Sequence, residues 1–153
     1  MRRTLVVLLS LLPPAGVAAQ ANPRPAPPPA ADSAAVRAAV LDYVEAIYRA
    51  DTSRILRSVR PELAKRGYFI PRGQSGYTNE PMTFAELLTT ARTWNASGRV
   101  DADKAIKEVK ILDLLDQTAS AKLVAVWGVD YLHLARYDGR WMIVNILWQT
   151  PPR

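Results

Sequence analysis

The sequence predicts a single α+β domain, with its helices in the first half and its strands in the second. Two observations carry this expectation. In three segments between Ser33 and Trp94, apolar residues recur at spacings of three and four, the period of a helix buried on one side. Farther along, the run VDYLHLARYDGRWMIVNILW (129–148) alternates around Asp138-Gly139, the strong two-residue signal of a β-hairpin.

The N-terminus precedes that domain. Met1-Arg2-Arg3, the apolar run Leu5 to Leu12 and the small-residue stretch GVAAQA have the three regions of a secretory signal peptide. Ala19-Gln20-Ala21 places the cut after Ala21, with a cut after Ala19 as the near alternative. The apolar run is too short to span a bilayer and ends at Pro13-Pro14, so no stable membrane insertion is expected after cleavage. The product would be secreted or periplasmic. It would keep 132 residues and a formal charge of +4, against +6 for the whole chain. It must fold without disulfides, because the sequence has no cysteine. Its excess positive charge is scattered over Arg37, Arg49, Arg54, Arg60, Lys65, Arg92 and Lys122, which reads as a solvated surface and not as a nucleic-acid interface.

Residues 22–32, NPRPAPPPAAD, cannot form a core and read as an extended tether, leaving 33–150 for the domain. The first helix then carries Val36, Val40, Tyr43, Val44 and Ile47 on one face, with Asp32 or Ser33 able to cap it. A shorter helix over 52–59 carries Ile55, Leu56 and Val59 on one side and stops before Pro61. Residues 66–81 are turn-rich and suit a short hairpin. Thr83 and Glu86 form a capping box ahead of Phe84, Leu87, Leu88, Ala91 and Trp94, which predicts the third helix. The stretch 104–115 fits either period alone and is assigned as strand from its neighbours. A long β segment to Tyr137 follows, with Gly128 as a bulge or bend, and 140–149 returns after the Asp-Gly turn.

With Asp138 and Gly139 in that turn, strict alternation places Asp130, Leu132, Leu134, Trp141, Ile143, Asn145 and Leu147 on one face. Tyr131, His133, Ala135, Met142, Val144, Ile146 and Trp148 fall on the other. Neither face suits water, so one should meet the helices and the other a second subunit.

This ending resembles the nuclear transport factor 2-like superfamily, in its "putative lumazine-binding" branch, related to the SnoaL-like polyketide cyclases. The matching residues are Asp130-Tyr131-Leu132, Leu134, Asp138-Gly139, Trp141 and Ile143-Val144-Asn145; Met142 stands where the family has lysine. The resemblance covers about 34–149. It implies a cone-shaped, cystatin-like fold, in which a curved, mixed or antiparallel sheet wraps around three helices and leaves a cavity. Lumazine is part of the family's name and is not carried over as a ligand.

In such a cone a few polar groups orient a ligand among apolar walls. The expected pocket is Asp130, Asn145, Tyr43, Trp94, Leu132 and Trp141. For Tyr43 and Trp94 the alternative is a core aromatic bonded to backbone. For Asp130 it is a structural carboxylate held by N–H donors or Arg136. Desolvation in an apolar pocket would raise the Asp130 pKa, whereas such donors would lower it. The expected dimer face is Tyr131, His133, Val144, Ile146 and Trp148, giving a homodimer. His133, the only histidine, lies opposite Asp130, so no His-Asp pair forms there. With one histidine and no cysteine, no metal site is expected, and no cofactor motif is present. Gly73-Gln74-Ser75-Gly76 reads as a turn, and Asn95-Ala96-Ser97 matches a glycosylation sequon. The expected function is non-catalytic binding of a small apolar or amphipathic molecule. The alternative is an isomerase- or cyclase-like enzyme using Asp130 as acid or base. A cone filled by its own side chains, acting only through dimerisation, is the third reading.

N-terminal sequencing of exported material should begin near Asn22; a start at Met1 would remove the export assignment.

Overall fold

The computed structural model describes residues 29–151. The expected signal peptide and cleavage after Ala21, and most of the tether, lie outside the described residues. Helix α1 spans Ala30–Arg49 and buries Val36, Val40, Tyr43, Val44 and Ile47, the face expected from their spacing. It starts within the stretch read as tether, and Asp32 does not cap it. Asp32 instead receives the Trp141 indole N–H at 3.2 Å and Arg136 at 3.4 Å, which ties the first turn of the helix to the sheet.

Helix α2, Thr52–Ser58, is capped by the Asp51 side chain, which accepts from Ser53 N at 3.0 Å. It runs directly into strand β1, Val59–Phe69. Val59 therefore opens a strand where the sequence suggests the end of a helix. Pro61 sits where β1 departs from its register with the last strand, between Val59 and Ala64; a residue without an N–H is tolerated there. Strand β2, Thr78–Met82, pairs antiparallel with β1 and leads to α3, Phe84–Thr93. The Thr83–Glu86 capping box is present in both directions.

Strands β3 (Lys107–Leu114), β4 (Thr118–Ala125), β5 (Gly128–Tyr137) and β6 (Arg140–Gln149) complete a six-stranded sheet in the order β2-β1-β6-β5-β4-β3. Only β1 and β6 run parallel. The segment read as one long strand is two. The chain reverses at Val126-Trp127, where Gly128, with φ +141°, lies so close to Gln149 that a Cβ would meet its carbonyl oxygen at 2.1 Å. One sheet face packs on the helices. There Leu123, Leu132, Leu134, Ile143 and Ile146 join Val36, Val40, Val44, Ile55 and Leu87 in the core.

The second departure from strict alternation lies in β6. Leu134 pairs with Ile143, but His133 pairs with Asn145, leaving Val144 as an extra, unpaired residue. This β-bulge reverses the side of every later residue. Ile146 and Trp148 therefore face the helices instead of lying in the expected dimer face. Asn145 moves to the outer side, away from the pocket in which it was expected. There its carboxamide oxygen lies 3.0 Å from His133 Nδ1, and its nitrogen donates to Ala64 O at 2.9 Å.

Asn95, in the expected sequon, is buried. It donates to Tyr48 O and Val100 O at 2.7 and 2.9 Å and accepts from Val100 N at 3.0 Å, so its amide closes the loop after α3. Asn95→Ala strands these groups and should lower unfolding stability by about 2 kcal/mol in urea denaturation. An unchanged midpoint would show that the loop closes without it.

Candidate functional site

Five sequence features converge between the helices and the concave side of the sheet. The helical period of α1 brings Tyr43 and Ile47 to one face, one turn apart. The capping box sets the start of α3, from which Leu87, Thr90 and Trp94 project. Alternation along β1 turns Leu63, Lys65 and Gly67 inward. The tight turn before Gly128 carries Trp127 over the helices, and the Val144 bulge brings Trp148 in from β6. Leu63 and Gly67 apart, these side chains and Met82 line a partly open cavity of about 190 Å³. Larger depressions of about 420 and 470 Å³ lie mainly on the outer side of the sheet, lined by residues such as Thr118, His133 and Val144, or Ala64, Arg66 and Asn145. Lys65 also reaches the second of these, but neither is lined by a tryptophan, tyrosine or phenylalanine.

The cavity walls are aromatic. Trp127 stands edge-on to Tyr43, Tyr48 and Trp94, with ring centres 6.3, 5.5 and 5.6 Å away, and Trp148 stacks on Phe69 at 6.0 Å. Trp148 fits because residue 67 is glycine: a Cβ there would lie 2.2 Å from the indole. Lys65 enters between these walls and is only 7 % exposed. Its ammonium donates to Tyr43 Oη at 2.9 Å and lies 5.4 Å from the ring centres of both Tyr43 and Trp148. Cation–π attraction replaces part of its lost hydration.

Asp130 is fully buried behind this wall, on the concave face as alternation predicts. One carboxylate oxygen accepts the Trp127 indole N–H at 2.9 Å; the other has no hydrogen-bond partner among the described residues. Arg136, the expected structural partner, is bonded to Asp32 instead. Burial raises the Asp130 pKa, opposed by the positive charge of Lys65 and by hydrogen bonding from Trp127. Burial in turn lowers Lys65 to about 8, opposed by Asp130. The Tyr43 hydroxyl, between the two, is pushed well above its ordinary value by burial and by the Asp130 charge.

Of the residues expected in the pocket, Tyr43 and Trp94 line the cavity, and Asp130 supports it from behind. Leu132 lies deeper in the core. Trp141 is not in the pocket at all, because its indole is committed to Asp32 near the start of α1. Lys65, expected on a solvated surface, and Trp148, expected in the dimer face, line the cavity instead, together with Trp127, which the sequence did not single out. Lys65 shares the inward parity of Leu63, a signal that shows once β1 runs from Val59 to Phe69. Among the described residues, no group of three or more His, Cys, Asp or Glu side chains could hold a metal ion.

The family described as "Putative lumazine-binding" matches residues 31–149. The chain belongs to that family. Structures similar to it share the family's fold. A nuclear transport factor 2-like protein of unknown function from Silicibacter pomeroyi is 17 % identical with a TM-score of 0.61, over 79 % of this chain and 97 % of that one. One from Shewanella baltica, also of unknown function, is 13 % identical with a TM-score of 0.58, over 80 % and 96 %. A protein of unknown function with a cystatin-like fold from Nostoc punctiforme is 13 % identical with a TM-score of 0.53, over 81 % and 94 %. No curated protein matches the chain. Within this fold, three helices against an open six-stranded sheet, the family member described here puts a lysine and an aspartate beneath an aromatic cavity.

Lys65 titrates near 8 when folded and near 10.5 when unfolded, so between these values the unfolded chain binds more protons. Stability should therefore rise with pH across that window, by roughly 3 kcal/mol for a shift of this size. Urea unfolding at a series of pH values should show the rise in the native protein and not in Lys65→Met. Parallel curves for the two would show that folding leaves Lys65 ionisation unchanged.

Proposed function

We propose that this domain is an exported, non-catalytic holder of a small amphipathic molecule with a flat, apolar body. The observation that carries the reading is the cavity itself: tryptophans 94, 127 and 148 and Tyr43 form its walls, with one buried ammonium among them. Aromatic walls favour a planar ligand, and Lys65 supplies an anchor for one polar group. The enzymatic alternative has less support, because Asp130 does not line the cavity and meets it only through Tyr43 and Trp127. The family's name points to ligand binding without naming a reaction.

Pairing of two copies through the outer sheet face belongs to the same proposal. The support there is Tyr131, Leu147 and Val144; Ile146 and Trp148 no longer contribute. Sedimentation at micromolar concentration should show a dimer that Val144→Glu converts to monomer, and a monomer in both cases would remove the pairing.

Mass spectrometry of the purified, then denatured, protein should reveal a copurifying small molecule. Naphthalene added to the ligand-free protein should change tryptophan fluorescence saturably. Thr90→Trp, which fills the cavity from α3 and leaves Lys65 and Asp130 in the sequence, should weaken that binding at least about tenfold, equivalent to about 1.4 kcal/mol. Equal binding by Thr90→Trp would place the ligand elsewhere.

A further inference from the structure

Lys65 is an unusual group to find in a cavity wall. Among the described residues no carboxylate lies within 4.0 Å of its Nζ, so it is not half of a closed ion pair. Its one hydrogen bond goes to Tyr43, and its other N–H groups have no protein acceptor among the described residues. The surrounding elements offer little else that ionises: α1 contributes Tyr43, β5 contributes Asp130, and the cavity-lining residues of β2, α3 and β6 are Met82, Leu87, Thr90 and Trp148. A merely structural lysine would have no reason to end here, since burying an ammonium away from its counter-charge is costly.

We propose that Lys65 is a nucleophilic amine that holds an aldehyde or ketone in this cavity as a reversible imine. This rests on the ligand-holding reading above and gives the ligand a chemical class: a flat, apolar carbonyl compound. Its reactive carbon would approach Nζ while its body lies against Trp94, Trp127 and Trp148.

The chemistry balances with the groups present. The Lys65 ammonium first gives up a proton, by way of the Tyr43 hydroxyl, to the Asp130 carboxylate, whose charge acts on that hydroxyl. The free lone pair then forms an N–C bond as the carbonyl π pair moves to oxygen, which takes up that proton. A second proton, lost from the same nitrogen, then moves to that hydroxyl; the C–O bond breaks, water leaves, and the nitrogen lone pair closes C=N. Overall, an ammonium and a carbonyl compound become a protonated imine and one water, with charge unchanged. Tyr43, 2.9 Å from Nζ, stands where it can pass the proton, and the Asp130 carboxylate offsets the positive imine. Desolvation favours the step, because it leaves on the order of a hundredfold more free amine near neutral pH than an exposed lysine has. No oxidant or reductant is needed.

Capture of the imine tests this. The folded protein is incubated with 2-naphthaldehyde and sodium cyanoborohydride at neutral pH, and the reduced adduct is mapped by peptide mass spectrometry. One adduct is expected, at Lys65, formed on the order of tenfold faster than at any other lysine. Lys65→Met should lose it, and Tyr43→Phe should slow it and shift its pH profile. Labelling spread over exposed lysines such as Lys104, with Lys65 unmodified, would overturn the proposal. If naphthalene still binds in that case, only the imine is lost and the ammonium is a non-covalent anchor; if naphthalene does not bind either, the ligand-holding reading fails with it.

Discussion

Between Ile143 and Asn145 the last strand carries one residue more than its partner, and the concave surface depends on where that residue falls. In a regular strand Trp148 would point outward and Asn145 inward. The bulge at Val144 exchanges them, completing the aromatic wall and removing an amide from the interior. Because β6 also pairs in parallel with β1, its corrected register sets Lys65 beside Ile146 and Gly67 beside Trp148. The glycine then leaves room for the indole. One unpaired residue thus sets the side-chain order of two strands.

The interior formed this way contains two opposite ionisable groups that do not touch. Lys65 and Asp130 are separated by Tyr43 and Trp127, each of which takes a hydrogen bond from or gives one to its charged neighbour. Burial drives both toward neutrality, and their mutual attraction opposes that drive. The charged pair and the neutral pair hold the same number of protons, so the two forms differ only in where one proton sits. The proposed imine would draw on that proton, which links this cluster to the proposed function. The fold alone supplies no such link, because the similar nuclear transport factor 2-like structures are themselves of unknown function.

The aromatic cluster has a structural duty as well. Tyr48 donates to Ile106 O at 2.7 Å and accepts from Val126 N at 2.9 Å, joining α1 to the loop before β3 and to the β4–β5 turn. Trp127, held by Asp130 three residues later, sits against it. Of the cavity walls, Tyr43 and Trp127 are anchored by hydrogen bonds at their polar edges, which apolar contact alone would not supply.

Local signals made much of the architecture legible. The helical spacing of Val36, Val40, Tyr43 and Ile47, the Thr83–Glu86 box and the Asp138-Gly139 turn each depend on residues a few positions apart, and the first and third helices and the closing hairpin follow from them. The inward parity of Asp130 and Leu132 was readable for the same reason. Trp148 and Asn145 were not, since a bulge leaves no unambiguous mark in an alternating run such as WMIVNILW. Lys65 was hidden for another reason: its meeting with Tyr43 and Asp130 depends on β1 lying parallel to β6, a pairing between distant parts of the chain. The sequence by itself determined which short segments form helices and strands and which of their faces are apolar, because those depend on neighbouring residues. Only the tertiary structure decided which charged and aromatic side chains share one cavity, because strand order and register are set by packing between segments that are remote in the chain.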